Sequence, residues 1–142
     1  MFTTKSSNAL CKRLAGQFTH DPLPLATASS NLKEKPIHQA DAELIERILQ
    51  EWLEYGYQDT GMTVFDREHG HFLLLESAWH NSTRVHRVIA HVDIIGDKFW
   101  IQVDHTPTGV GVDLGQAGVP KEPIVLGFYP LEHRKYGDYA VQ

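Results

Sequence analysis

Cysteine is almost missing from this sequence. Cys11 stands alone among 142 residues, so no internal disulfide can form and no cysteine-based metal spacing exists. The solitary thiol reads as reduced and intracellular. Long apolar runs are missing too: the best stretch, Ile124 to Phe128, is far short of the roughly 18 residues a membrane-spanning helix needs. No apolar h-region of a secretory signal precedes the first prolines. Acidic residues are absent before Asp21, where Lys5, Lys12 and Arg13 sit among Ser and Thr. That pattern superficially resembles a transit peptide, but the reading preferred here is a disordered extension. A glycine-rich phosphate loop, a zinc spacing and a dinucleotide fingerprint are also lacking, so no cofactor is expected.

What remains is ordinary globular material, 42% hydrophobic and 22% charged, enough for one core and one domain. Charge is split along the chain. Residues 1–39 carry five basic against two acidic residues, a balance of +3, whereas the rest carries eight against sixteen, a balance of −8. Nucleic-acid binding draws most of its affinity from Lys and Arg neutralising phosphates, so direct DNA binding by this acidic part is not expected.

From Gln17 to Gln39 the chain holds Pro22, Pro24 and Pro36 and shows no sustained period. Residues 1–39 therefore read as a disordered or poorly ordered extension, and residues 40–142 as the domain. Asp41 and Glu43 suit a helix N-terminus, and Leu44, Ile45, Ile48, Leu49 and Trp52 recur at helical spacing. One amphipathic helix from Asp41 to Tyr55 is predicted.

Between Thr60 and Asp104 the period becomes two, with turn signals at Arg67 to Gly70, His80 to Thr83 and Gly96-Asp97. The fold class is therefore α+β: an N-terminal helix packed on an antiparallel meander of about four strands. Counting outward from the turns puts Asp66 opposite His71, Trp79 opposite Arg84 and Ile95 opposite Lys98. One face then collects Met62, Val64, Leu73, Leu75, Val88, Ala90, Val92, Ile94, Phe99, Ile101 and Val103, which the helix is expected to cover. The same register pairs Glu76 with Arg87 across strands. A short helix over Gly109 to Ala117, on Val110, Leu114 and Ala117, and a buried strand over Ile124 to Phe128 follow.

A second group of residues resembles a known family. Trp79, Arg84-Val85-His86, His91-Val92-Asp93-Ile94, Lys98-Phe99-Trp100-Ile101-Gln102, Asp104 and Thr106 follow its pattern in order. So do Ala117-Gly118-Val119-Pro120-Lys121-Glu122, Ile124-Val125-Leu126-Gly127-Phe128, Pro130, Arg134-Lys135-Tyr136 and Ala140-Val141. This ordered series over residues 40–142 resembles the XisI family, the fdxN element excision controlling factors. Departures fall at Pro123, Tyr129 and Gly137. The resemblance implies a cyanobacterial, cytoplasmic regulatory protein. It would act with a XisH-like companion to control site-specific excision of a DNA element by a separate recombinase.

The sheet face opposite the expected core carries Phe65, Phe72, His91, Asp93, Trp100, Gln102 and Asp104. Three readings stand. The preferred one is an interface, for a homo-oligomer or a partner, because exposed aromatic patches mark association sites. The second is structural, with the C-terminal segment folded over this face and the polar groups hydrogen-bonded. The third is a metal-dependent hydrolase built on His91, Asp93 and Asp104. Ser77 opposite His86 lacks an orienting acid, His69 and His71 read as a polar hairpin end, and His133-Arg134-Lys135 as solvated. A non-enzymatic role, without membrane attachment, is the overall expectation.

Overall fold

The computed structural model describes residues 38–142; the extension expected over residues 1–39 lies almost wholly outside them. Helix α1 spans Gln39–Gly56 and buries Ala42, Ile45, Ile48 and Leu49, the inward positions of a helical stripe. It is followed by strands β1 (Gly61–Asp66), β2 (His71–His80), β3 (Thr83–Ile95) and β4 (Lys98–Asp104), helix α2 (Val110–Gln116), strand β5 (Ile124–Leu126) and a final turn of helix α3 (Leu131–Arg134). The strands form one sheet in the order β1-β2-β3-β4-β5. The first four are antiparallel neighbours, and β5 joins β4 in parallel. A parallel neighbour requires a crossover, which the loop carrying α2 provides. This is the α+β architecture expected, with a fifth strand making the sheet mixed.

All three hairpins contain the expected pairs: Asp66 with His71, Trp79 with Arg84 and Ile95 with Lys98. Between these ends, two irregularities overturn the expected faces. In the β2–β3 pair, Leu75 faces Val88 but Leu74 faces Ala90, leaving Ile89 as an extra residue. In the β3–β4 pair, Val92 faces Ile101 but His91 faces Val103, leaving Gln102 extra. Each is a β-bulge, and each reverses the parity of everything beyond it.

The core therefore differs from the one counted on regular strands. Ala90, Val92, Ile94, Phe99 and Ile101 do lie beneath α1, joined by Phe72, Leu74 and Ile89. Met62, Val64, Leu73, Leu75 and Val88, by contrast, pair with one another on the opposite, open side. Val103, opposite His91, is on that side too. Met62 and Val64 are 47% and 45% exposed. Strand β2 is apolar on both faces, so its alternation did not say which face turns inward. The extra residue in β3 is what lets Phe72 and Leu74 share a face with Ala90 and Val92.

Helix α2 is tied to α1 by a hydrogen bond from Trp52 Nε1 to Asp113 Oδ2, 2.7 Å. Its inward positions are Val110, Gly111 and Leu114, whereas Ala117, expected inward, is exposed. At Gly111 a Cβ would stand 3.3 Å from the Tyr139 hydroxyl and 3.4 Å from Ile101 Cδ1. The glycine that weakens the helix by propensity is therefore the one that lets it approach the sheet. Among the described residues no helix is long and apolar enough to cross a membrane.

Candidate functional site

Of the residues singled out on the sheet, His91, Asp93, Trp100 and Gln102 stand together on the open face. His91 and Asp93 are two apart on β3, and alternation puts both on one side. Trp100 is the cross-strand partner of Asp93. Gln102 is the extra residue of the second bulge, and its Nε2 donates to Asp93 Oδ2 at 3.1 Å.

Three expected members are elsewhere, and the bulges explain it. Phe72 is completely buried in the core, facing Val92 rather than His91. Phe65 packs beside it, ring centroids 6.1 Å apart. Asp104 faces Ala90 and caps the start of α2: its Oδ2 accepts the Val110 N–H at 2.7 Å. Its Oδ1 accepts from the N–H and hydroxyl of Thr106, at 3.1 and 2.6 Å. A carboxylate so committed is a structural cap. The hydrolase reading built on His91, Asp93 and Asp104 loses its third group.

Another residue occupies that place. The bulge at Ile89 shifts β2 by one so that His71, not a neighbour, lies across from Asp93. His71 Nδ1 is 2.6 Å from Asp93 Oδ1, and His91 Nε2 is 2.8 Å from the same oxygen. The sequence places both His69 and His71 at a polar hairpin end, but only His69 fits that description, with Nδ1 2.8 Å from Asp66 Oδ2 in the β1–β2 hairpin.

Asp93 is wholly buried while the His71 and His91 side chains are 36% and 24% exposed. Burial pushes the Asp93 carboxyl upward, but hydrogen bonds from His91 and His71 and their charges outweigh it, leaving the group below the usual carboxylate range. The buried oxygens are thus fully engaged: two imidazoles on one, an amide on the other. Among the described residues no buried side-chain polar atom lacks a partner.

The rim of this cluster is closed on the β4 side by the C-terminal segment. The Arg134 guanidinium lies 5.2 Å above the Trp100 ring, and its N–H groups donate to the carbonyls of Tyr129 and Val141 at 2.9 and 3.1 Å. Arg134 is therefore a staple rather than the solvated cation expected. Ala140 adds a bridge to Val125 at the sheet edge. A groove of about 270 Å³ under this segment is lined by Tyr129, His133, Arg134, Tyr136 and Tyr139 among others.

Two further expected pairs are present without forming a catalytic unit. Ser77 does face His86, Oγ and Nδ1 3.2 Å apart, but Arg84 donates to the same hydroxyl at 2.6 Å. Glu76 and Arg87 form the expected cross-strand ion pair at 2.7 Å.

A family model described as XisI protein matches residues 37–141. Among solved structures, a XisI-like protein from Anabaena variabilis superposes with a TM-score of 0.67 and 30% identity, over 72% of this chain and 97% of that one. The fdxN element excision controlling factor XisI from the same organism gives 0.62 and 25%, over 72% and 96%. No curated protein matches the chain. With the family model spanning the helix, the sheet and the C-terminal staple alike, the chain belongs to the XisI family.

Proposed function

We propose that this protein is a non-enzymatic accessory factor in the control of site-specific DNA excision, acting through contacts with a XisH-like companion protein and as a homo-oligomer. The observation that carries this reading is membership of the XisI family across residues 37–141, a family with a solved member described as an excision controlling factor. The contact mode is supported by the open sheet face. Met62 and Val64 lie there nearly half exposed, with Leu73, Leu75 and Val88 on the same side by register. A sheet face meant for water alternates to polar residues at such positions. The acidic balance of the domain disfavours a direct hold on phosphates, so the recombination reaction is reached through protein partners.

The test is co-expression with the XisH-like protein from the same genome, followed by size-exclusion chromatography with light scattering. Joint elution, abolished in Met62→Lys/Val64→Lys, supports the reading. A strict monomer that ignores the companion refutes it.

A further inference from the structure

We infer that His71, His91 and Asp93 form a binding site for one divalent transition-metal ion of the zinc, cobalt or nickel class. One ligand atom from each of the three residues lies within 4.8 Å of the others, and His71 Nδ1 and His91 Nε2 both stand against Asp93 Oδ1. They come from two adjacent strands in the interior of the sheet. His91 and Asp93 share β3, and His71 is the cross-strand partner of Asp93 on β2. Backbone pairing on both sides of β3 holds these positions, so no loop has to be ordered to assemble them.

Donor chemistry selects the ion. Two imidazole nitrogens and one carboxylate oxygen suit borderline divalent metals and are too few and too nitrogen-rich for calcium or magnesium. The nitrogens stand 2.6 and 2.8 Å from Asp93 Oδ1, joined by hydrogen bonds. Bonds of about 2.0–2.1 Å to a tetrahedral ion would set neighbouring donors about 3.4 Å apart. The imidazoles must therefore draw back by roughly half an ångström or somewhat more. Both have room to do so, since each is partly exposed toward the open face whereas Asp93 is fixed and buried.

The carboxylate of Asp93 is already held from its far side. Gln102 donates to Asp93 Oδ2 at 3.1 Å, which orients the carboxylate and leaves Oδ1 turned toward the imidazoles. Gln102 is the extra residue of the β3–β4 bulge, two positions beyond Trp100, the cross-strand partner of Asp93. Three protein ligands leave a fourth position for water on the open face, as in an unsaturated tetrahedral site.

The experiment uses the full chain, free of affinity tags and dialysed against chelator. Calorimetry with Zn²⁺ and visible spectroscopy with Co²⁺ should show one saturable site per chain, with cobalt d–d bands. Zn²⁺ should raise the melting temperature. His71→Gln removes a ligand from a partly exposed position and should abolish the saturable site and the thermal shift. Asp93→Asn should do the same, and Gln102→Leu should weaken binding about 10–100-fold, since the hydrogen bond that orients the ligating carboxylate is lost. His80→Gln, at an exposed strand end, should leave uptake intact. Absence of one-to-one uptake, or uptake unchanged in a folded His71→Gln protein, overturns the assignment.

Discussion

Replacing Ile89 by alanine tests the bulge that organises the whole sheet, because the two possible registers give opposite answers for adjacent residues. In the structure Ile89 is completely buried in the core cluster, while Val88 lies on the open face opposite Leu75 and is only half-buried. Ile89→Ala removes three carbons. At about 0.8 kcal/mol per buried methylene the transfer loss is about 2.4 kcal/mol, and the residual cavity raises the cost to about 3–4 kcal/mol, within the range for such truncations. Val88→Ala removes two carbons from a half-solvated position and should cost about 1 kcal/mol or less. Urea unfolding followed by circular dichroism measures both. With a slope of about 1–3 kcal/mol per molar, the Ile89 variant's midpoint should fall by at least about 1 M, with that of the Val88 variant little moved. A regular, unbulged β2–β3 ladder would place Val88 inside and Ile89 outside. Costs in that reversed order would refute the register and, with it, the opposition of His71 and Asp93.

Three further outcomes follow from other parts of the fold. Gly61→Ala should destabilise the protein by about 1–3 kcal/mol in the same melts, since a Cβ there would meet Leu53 Cδ1 at 2.6 Å and Tyr57 O at 2.8 Å where α1 ends against β1. Asp104→Ala should cost about 0.5–2 kcal/mol as a lost helix cap and leave metal uptake unchanged, because its oxygens hold Thr106 and Val110 rather than the histidine cluster. Acid should weaken the fold, in the presence of chelator, through Asp93. Its carboxyl is held below its ordinary value in the folded state, so its stabilisation is complete above the unfolded value of about 4 and is lost as pH falls through the folded value. A melting-temperature series between pH 5 and pH 2 should fall more gently in Asp93→Asn than in the native protein.

Much of the site was visible in the residues themselves. His91 and Asp93, two apart on a strand, had to share a face, and Trp100 followed from the tight Gly96-Asp97 turn, whose closing pair Ile95 with Lys98 is observed. The helical stripe of α1 and the α+β class followed from the change of period at Thr60. His71 could not be found this way. On regular strands it falls opposite Val92; one inserted residue, Ile89, moves it to Asp93. Arg134 was equally hidden, since nothing local links a C-terminal basic residue to a tryptophan on β4.

Periodicity, turn residues and charge are local properties, and they determined the helix, the hairpin ends, the acidic character of the domain and its family pattern. The choice of inner face belonged to the tertiary structure. Strand β2 is apolar on both sides, so burying Phe72 and Leu74 under α1 rather than Leu73 and Leu75 depended on which side the helix covered and on where β3 and β4 each accommodated an extra residue. A bulge changes parity without altering the alternation of the strand next to it, so only the packed sheet could bring His71 to the face shared by His91, Asp93 and Gln102.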